Sequence, residues 1–256
     1  MTTKPRSASP RRVEFAAHSD VGRVRTRNED ALETCPERGW AVLADGMGGY
    51  RGGDVAARLA VSAALRRLEY EAAADRMQSV ETAAHSLARA VEDANTEVLR
   101  AGIADPDLAG MGATLLAVAF LDGQAVSAHV GDSRLYRWRE GEFEQLTRDH
   151  TMLQEQVDGG VMSAEDARHS RYRGMLTRGV GVASLVQPEL GVHVARAGDL
   201  FLLCSDGLTD MLDDDEIAAV LAGGEPLRAT AEHLVAQANL HGGRDNVSVI
   251  VARMAV

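Results

Sequence analysis

Residues 40–54 restrict the possible folds more than any other part of the sequence. They read as an apolar run that ends at Asp45, then a loop rich in glycine, and then a helical pattern that starts near Asp54. An apolar run of this kind is typical of a strand that is covered on both faces. We therefore expect a buried strand over residues 40–45 that carries one carboxylate to its end, with Asp54 as the N-cap of the next helix.

Composition and charge exclude several classes of protein. The chain has 256 residues, 45% of them hydrophobic, which is enough for one large globular domain. A formal net charge of −11 argues against nucleic-acid binding, because a phosphate backbone would be repelled. No apolar run approaches the ~20 residues of a membrane span, and no secretory signal follows the basic start. Cys35 and Cys204 suit a reducing cytoplasm, with a disulfide as the alternative. We expect a cytoplasmic monomer.

The periodicity of apolar residues predicts one α+β domain over residues 13–256 after a flexible basic tail at residues 1–12. Strands are predicted at 13–19, 40–45, 114–121, 125–130, 134–139, 143–146, 190–194, 200–204 and 247–251. Helices are predicted at 54–70, 79–100, 152–157, 164–169, 215–221 and 226–239. The strands from residue 114 onward are separated by short turns, which indicates an antiparallel meander. Residues 148–181 interrupt it, as a functional flap or lid would.

Four aspartates stand at strand ends or turns of this pattern: Asp45, Asp132, Asp206 and Asp245. Each alone is what a tight turn prefers. Asp45 and Asp206, however, each follow an apolar strand, and they face the same rim if those strands are neighbours. Two carboxylates ~4 Å apart repel by about 4 kcal/mol at an effective dielectric near 20, so such a group needs a cation. Oxygen ligands without a His or Cys pattern favour Mg²⁺ or Mn²⁺ over Zn²⁺.

Other phosphate-binding and hydrolytic patterns do not fit. The Walker loop requires Lys after its last glycine, but Gly53 is followed by Asp54. The dinucleotide loop requires glycine where Arg51 stands. Neither a Gly-x-Ser-x-Gly elbow nor a His-Glu-x-x-His motif occurs. A metal-assisted hydrolysis of phosphate esters is the chemistry that the aspartates favour.

Eight short motifs occur in a fixed order between residues 19 and 251. They are Ser19-Asp20-x-Gly22-x-x-Arg25-x-x-Asn28-Glu29-Asp30, Asp45-Gly46-Met47-Gly48-Gly49, Met111-Gly112-Ala113-Thr114, Gly131-Asp132-Ser133-Arg134, Leu146-Thr147-x-Asp149-His150, Leu176-Thr177-Arg178, Cys204-Ser205-Asp206-Gly207-Leu208 and Gly243-Arg244-Asp245-Asn246. Any one motif is weak, but eight in order are highly specific. On these residues the chain resembles the metal-dependent Ser/Thr protein phosphatases of type 2C, especially their compact bacterial members.

The resemblance implies a fold and a metal centre. The fold is a four-layer α/β/β/α sandwich, in which two packed antiparallel sheets are flanked by helix pairs and interrupted by a flap. The cofactors are two or three Mn²⁺ or Mg²⁺ ions. Asp45 bridges two of them, Asp206 and Asp245 bind the first, and the Gly46 carbonyl binds the second.

The resemblance also assigns roles around that centre. Glu29 and Asp30 act on the second metal, partly through water, and Asp132 joins Asp206 at a third, weaker metal position. Arg25 matches the arginine that binds the substrate phosphate, a role that suits a guanidinium fork; by itself, a solvated loop charge is the simpler interpretation. Asn246 is expected to orient Asp245 from outside the ligand set.

The resemblance leaves two points without an assigned role: the residue at position 47 and the arginines of the flap. Eukaryotic members carry His, a proposed general acid, where this chain has Met47, which donates no proton. The flap carries Arg168, Arg171, Arg173 and Arg178, which suit acidic or phosphorylated partners or a solvated loop equally well.

The predicted function is hydrolysis of phosphoserine and phosphothreonine on proteins through a water that bridges two metals. Asp45, Asp206, Asp245 and Arg25 are the predicted catalytic residues. The expected partners are phosphorylated proteins, among them a bacterial Ser/Thr kinase and its substrates. The alternatives are a metal-binding pseudophosphatase without turnover and a regulatory phosphatase that acts on one partner-switching protein.

Overall fold

The structure is a computed structural model that describes residues 13–48, 52–168, 170, 172 and 174–255. The predicted basic tail, residues 49–51 of the glycine loop, the end of the predicted helix at His169, and Arg171 and Arg173 of the flap lie outside the described residues.

Two antiparallel sheets form the centre of the fold. The first has the strand order β1-β11-β10-β7-β8, and the second has the order β2-β3-β5-β6-β9, with β4 paired to β3. The strands are β1 (Val13–Asp20), β2 (Asp30–Cys35), β3 (Trp40–Met47), β4 (Gly112–Ala113), β5 (Leu115–Leu121), β6 (Gln124–Val130), β7 (Arg134–Arg139), β8 (Glu142–Gln145), β9 (Glu189–Val194), β10 (Leu200–Cys204) and β11 (Val247–Met254).

The helices are α1 (Gly52–Ala73), α2 (Val80–Ala104), α3 (Met152–Asp158), α4 (Ala164–Arg168), α5 (Asp206–Thr209), α6 (Asp214–Ala222) and α7 (Leu227–Leu240). The pair α1 and α2 covers the outer face of the second sheet, and α6 and α7 cover that of the first. Helices α3 and α4 lie in the predicted flap, and α5 is one turn that follows β10. Ser79 caps α2 in a capping box with Thr82, and Asp213 caps α6 in the same way with Glu216. Among the described residues, every helix is too short or too polar to cross a bilayer.

The alternation of side chains along the strands builds three apolar layers. Val42 of β3 packs outward with α1 and α2, while Leu43 points between the sheets. Leu202 of β10 packs outward with α6 and α7, and its neighbour Leu203 meets Leu43 in the central layer. This confirms the predicted α+β sandwich of two antiparallel sheets between helix pairs.

Three local expectations are wrong. The strands predicted as one meander divide between the sheets, because the turn after β6 crosses from the second sheet to the first before β7 begins. Strand β2 and the short helix α5 were not predicted, since β2 mixes polar and apolar residues and α5 has only one turn. Asp54 is not an N-cap: α1 already includes Gly52, and Asp54 lies in its first turn, paired to Arg58 at 2.9 Å.

Candidate active site

Strand pairing brings Asp45 directly opposite Asp30. β2 and β3 are antiparallel, and their register places these two residues face to face. Thr114 holds the Asp45 backbone at both of its polar groups: the Asp45 N–H donates to Thr114 Oγ1 (2.8 Å), and the Thr114 N–H donates to the Asp45 carbonyl (2.8 Å). Burial, followed by repulsion from Asp30 and Asp206, raises the pKa of Asp45 well above its usual value.

The backbone around Gly46 leaves no room for a side chain. A Cβ at this position would lie 2.0 Å from the carbonyl oxygen of Gly53 and 2.6 Å from that of Glu29. The Gly46 N–H donates to the Glu29 carbonyl (3.1 Å). The start of α1 therefore packs directly against the end of β3.

Asp206 reaches the same place from the other sheet. It is the first residue of α5, directly after Ser205 at the end of β10. The Ser205 hydroxyl does not cap this helix but donates to Asp30 Oδ2 (2.9 Å), and the Ser248 N–H donates to the Ser205 oxygen (3.0 Å). The sequence argument brought Asp45 and Asp206 to the same rim on the condition that their strands are neighbours. They instead meet across the two stacked sheets, since β3 and β10 belong to different sheets.

Asp132 lies in the turn that crosses between the sheets after β6. Its side chain is buried, and burial followed by repulsion from Asp149 raises the pKa of Asp132 to about 6. Asp210 contributes to this repulsion, and it also raises the pKa of Asp206. Sequence analysis missed Asp210 and Asp149 as neighbours of the site. The signal for Asp210 was its position four residues after Asp206, one helical turn away.

Arg25 and Asp245 form an ion pair at the mouth of the site. Arg25 Nη2 lies 2.7 Å from Asp245 Oδ2, and the arginine side chain is 51% exposed. Burial opposes the charge on Arg25 and is the largest single effect. The attraction and hydrogen bond of Asp245, together with the charges of Glu29 and Asp45, nevertheless raise the arginine pKa. The predicted phosphate-binding arginine is therefore at the site, where a neighbouring carboxylate holds it.

Asn246 acts mainly on the loop that carries Glu29. Its Oδ1 accepts from the Glu29 N–H (2.8 Å), and its Nδ2 donates to the carbonyls of Val21 (2.9 Å) and Arg27 (2.8 Å). The contact with Asp245 comes from the Asn246 backbone, whose N–H donates to Asp245 Oδ1 (2.8 Å). The expected orienting role thus falls to the backbone of Asn246, and its side chain fixes the loop instead.

Repulsion among the buried carboxylates of the site would be relieved by a bound cation. Within the described residues, no three His, Cys, Asp or Glu side chains already converge as a closed metal-binding group. Asp30 Oδ1 and Asp206 Oδ1 are nevertheless buried without a hydrogen-bond partner. Unpartnered carboxylate oxygens among like charges are costly to bury. Hard divalent cations fit this donor set, because carboxylate oxygens are their preferred ligands.

A cavity of about 490 Å³ adjoins the carboxylates. It lies between the flap helices α3 and α4 and the segment formed by α5 and α6, and Asp132, Asp206 and Asp210 are part of its lining. The Met47 methyl lies on the flap side of the glycine loop, within 3.0 Å of where a Cβ would stand on Gly112 and within 2.9 Å for Gly179. Met47 therefore packs against the base of the flap.

Comparison with known proteins supports the predicted resemblance to the type 2C protein phosphatases. Residues 19–241 match the family described as protein phosphatase 2C. The protein phosphatase PhpP of Streptococcus pneumoniae is 34% identical over 94% of this chain and 98% of its own length. The serine/threonine protein phosphatase PstP of Mycobacterium tuberculosis is 37% identical over 94% of this chain, which spans 45% of PstP.

Solved structures agree in fold as well. The crystal structure of the M. tuberculosis phosphatase PstP/Ppp superposes with a TM-score of 0.86 at 37% identity, covering 96% of this chain and 100% of that one. The catalytic domain of PstP in complex with two manganese ions has a TM-score of 0.84 at 36% identity, covering 96% and 99%. The chain therefore belongs to the protein phosphatase 2C family, and the prediction of a serine/threonine phosphoprotein phosphatase is confirmed.

Proposed function

We propose that this phosphatase holds two or three Mn²⁺ or Mg²⁺ ions on the carboxylates described above and removes phosphate from phosphoserine and phosphothreonine. The observation that carries the proposal is the burial of like-charged carboxylates with two unpartnered oxygens, at Asp30 and Asp206. The manganese-bound PstP structure supports the choice of metal.

The proposed ligands divide into a central and a peripheral group. The central residues Asp45, Asp206 and Asp245, together with the Gly46 carbonyl, would hold the first two cations. The peripheral residues are Glu29 and Asp30, which would support these cations, and Asp132, which would help to hold a third. When bound, the cations lower the pKa of a water molecule and neutralise the charge on the phosphoryl group.

Arg25 is the proposed contact for the substrate phosphate. It lies at the mouth of the site and is half exposed, so a phosphate oxygen can replace the carboxylate of Asp245 as its partner. A planar guanidinium donates two parallel hydrogen bonds to such a group. The ion pair seen here keeps the arginine turned toward the site before the substrate arrives.

The leaving alkoxide of serine or threonine takes its proton from solvent in this proposal. Met47 occupies the loop position where an acid would stand, and a thioether donates no proton. The Met47 side chain contacts the flap base, which gives it a packing role. The rate should therefore depend on solvent-derived protons rather than on a titrating residue in this loop.

Phosphorylated proteins are the substrate class, and we propose a bacterial Ser/Thr kinase and its substrates as the partners. The expected state is a cytoplasmic monomer. These finer assignments derive from the family resemblance and from the bacterial relatives.

The decisive experiment measures phosphate release from a phosphothreonine peptide. We expect turnover with Mn²⁺, loss of turnover on chelation, and a loss of about 10³-fold in the Asp45→Asn variant, since the missing charge no longer binds cations. Activity that survives chelation or the substitution would contradict the mechanism. Tight Mn²⁺ binding by the wild type without turnover would instead support the pseudophosphatase alternative.

A further inference from the structure

His150 lies at the start of the flap, in a motif to which the proposed mechanism assigns no role. Its side chain is 1% exposed. The His150 backbone N–H donates to the Gly131 carbonyl (3.0 Å), and its ring nitrogen Nδ1 accepts from the Gly131 N–H (3.2 Å). Both polar backbone groups of Gly131 are therefore bonded to one residue.

This geometry specifies the tautomer of the ring. Because Nδ1 accepts a hydrogen bond, the proton must be on Nε2, which lies 3.3 Å from Glu189 Oε2. Arg178 Nη1 lies 3.3 Å from the same nitrogen and adds positive charge beside it. His129 stacks on the ring, with centroids 4.7 Å apart and planes 5° from parallel. Burial, and then the charge of His129, lowers the pKa of His150 to about 4, which agrees with a neutral ring.

Gly131 connects His150 to two of the proposed metal ligands. It directly precedes Asp132, so its orientation fixes the turn that carries this carboxylate. Its φ is +99°, and an added Cβ would lie 2.5 Å from Thr114 Cγ2, so its backbone packs directly on Thr114. Thr114 in turn bonds both backbone groups of Asp45. One path of contacts thus joins His150 to Asp132 and Asp45.

His150 also joins the two ends of the flap. Its carbonyl accepts from the Thr177 N–H (2.8 Å), and the next residue, Thr151, pairs with Leu176 in an isolated β-bridge. The entry and exit of the flap therefore meet at the residue that holds Gly131.

We propose that His150 is a positioning residue of the active site. It holds the Gly131–Asp132 turn against Thr114 and couples that turn to the base of the flap. The inference rests on the proposed function, since Asp132 and Asp45 matter here as metal ligands. His150 is not the missing proton donor, because its ring is buried and both of its nitrogens face groups of the protein.

Two substitutions separate this role from simple packing. In His150→Asn the amide oxygen replaces Nδ1 and still accepts from Gly131. In His150→Gln the amide extends toward the Nε2 position and leaves the Gly131 N–H unpaired. We expect His150→Gln to raise the Mn²⁺ concentration for half-maximal activity about tenfold or more and to lower kcat rather than raise KM. His150→Asn should recover most of both, and His233→Leu, which removes a half-buried histidine on α7 away from the site, should change neither.

Two readouts do not depend on turnover. Calorimetry of Mn²⁺ binding should show the same weakening in His150→Gln. In the metal-free wild type, NMR should detect a scalar coupling between the Gly131 amide nitrogen and His150 Nδ1, together with the Nε2–H tautomer. Absence of the coupling, or the opposite tautomer, would overturn the proposal, as would a His150→Gln variant that is less stable but binds Mn²⁺ normally. If the wild type binds Mn²⁺ without turnover, the proposed function fails, while these two readouts still test His150.

Discussion

Strand β10 has an aspartate just outside each end, and the two aspartates have opposite electrostatic surroundings. Asp199, before the strand, receives two hydrogen bonds from Arg139 (2.7 and 2.6 Å) and one from the Arg196 N–H (2.6 Å). Asp206, after the strand, faces Asp132 and other carboxylates, and its Oδ1 is buried without a partner. Burial opposes ionisation at both sites, yet the pKa of Asp199 is lowered and that of Asp206 is raised.

The difference separates an aspartate that completes the fold from one that we propose as a metal ligand. A buried carboxylate is tolerated when a cation of the same chain neutralises it with good geometry, as Arg139 does for Asp199. The chain supplies no such partner for Asp206 Oδ1. The metal-free fold therefore carries an unfavourable electrostatic term at one end of β10 that a bound cation would remove.

The largest expected effect comes from exchanging each aspartate for asparagine. Asp206→Asn should lose about 10³-fold of Mn²⁺-dependent phosphate release, while the metal-free variant should be more stable than the metal-free wild type at pH 7.5, because one repelling charge is gone. Asp199→Asn should keep its kcat and lose roughly 3 kcal/mol of unfolding free energy, because Arg139 loses its partner. Urea unfolding and phosphate release measure both. A folded Asp199→Asn protein without activity would break the comparison.

A smaller effect is expected from substituting two arginines: Arg25, which pairs with Asp245, and Arg139, which pairs with Asp199. Arg25→Ala should lower kcat/KM for a phosphopeptide by about 10- to 100-fold, the value of one charge-assisted hydrogen bond. The exposed pair with Asp245 should contribute less than about 1 kcal/mol to stability. Arg139→Ala, the matched control, should destabilise the fold and leave kcat/KM unchanged. A normal kcat/KM in Arg25→Ala would remove this residue from substrate binding.

The smallest effect is a dependence of metal-free stability on pH. Asp30 and Asp132 have pKa values raised to about 6, and burial raises the pKa values of Asp45 and Asp206 well above their usual value. A raised folded-state pKa contributes stability that is complete below about pH 4, the unfolded value, and is lost as pH rises through the folded value.

The measurement compares melting temperatures of metal-free wild type and Asp206→Asn across this range. The wild type should lose roughly 2–4 °C relative to the variant between pH 4 and pH 7.5. The quantity to compare is the difference in melting temperature between the two proteins at each pH. Asp20 and Asp199, whose pKa values are lowered, contribute an opposite trend to both proteins, and this trend cancels in the difference. Saturating Mn²⁺ should reverse the order of the two proteins at pH 7.5. Parallel curves for the metal-free proteins would show that Asp206 is not destabilising.

Much of the fold followed from local pattern. The predicted strand at 200–204 is the observed β10, and the predicted helices 79–100 and 226–239 match α2 and α7 within a few residues at their ends. These elements have strong apolar periodicity, which a linear sequence records directly. Strand β2 was missed because its side chains are mostly half-buried at a sheet edge and show little contrast.

The candidate site was predictable only in part. Asp45, Asp206, Asp245 and Asp132 were selected from their positions beside strand ends and turns, and the order of the motifs supplied Arg25 and Glu29. The neighbours Asp149 and Asp210 were missed, because an acid in a helix or loop looks solvated until its surroundings are known. The side-chain role of Asn246 was also beyond sequence, since its contacts lie in a loop more than 200 residues away.

By itself, the sequence determined which predicted strands end beside a carboxylate. It also determined the class of cation, because donor chemistry is a property of residue type. Only the tertiary structure decided that Asp45 and Asp206 meet across two sheets, that Asp30 stands opposite Asp45, and that His150 holds Gly131. The physical reason is that strand order, register and the crossing between sheets depend on packing between distant segments, which leaves no periodic trace in the chain.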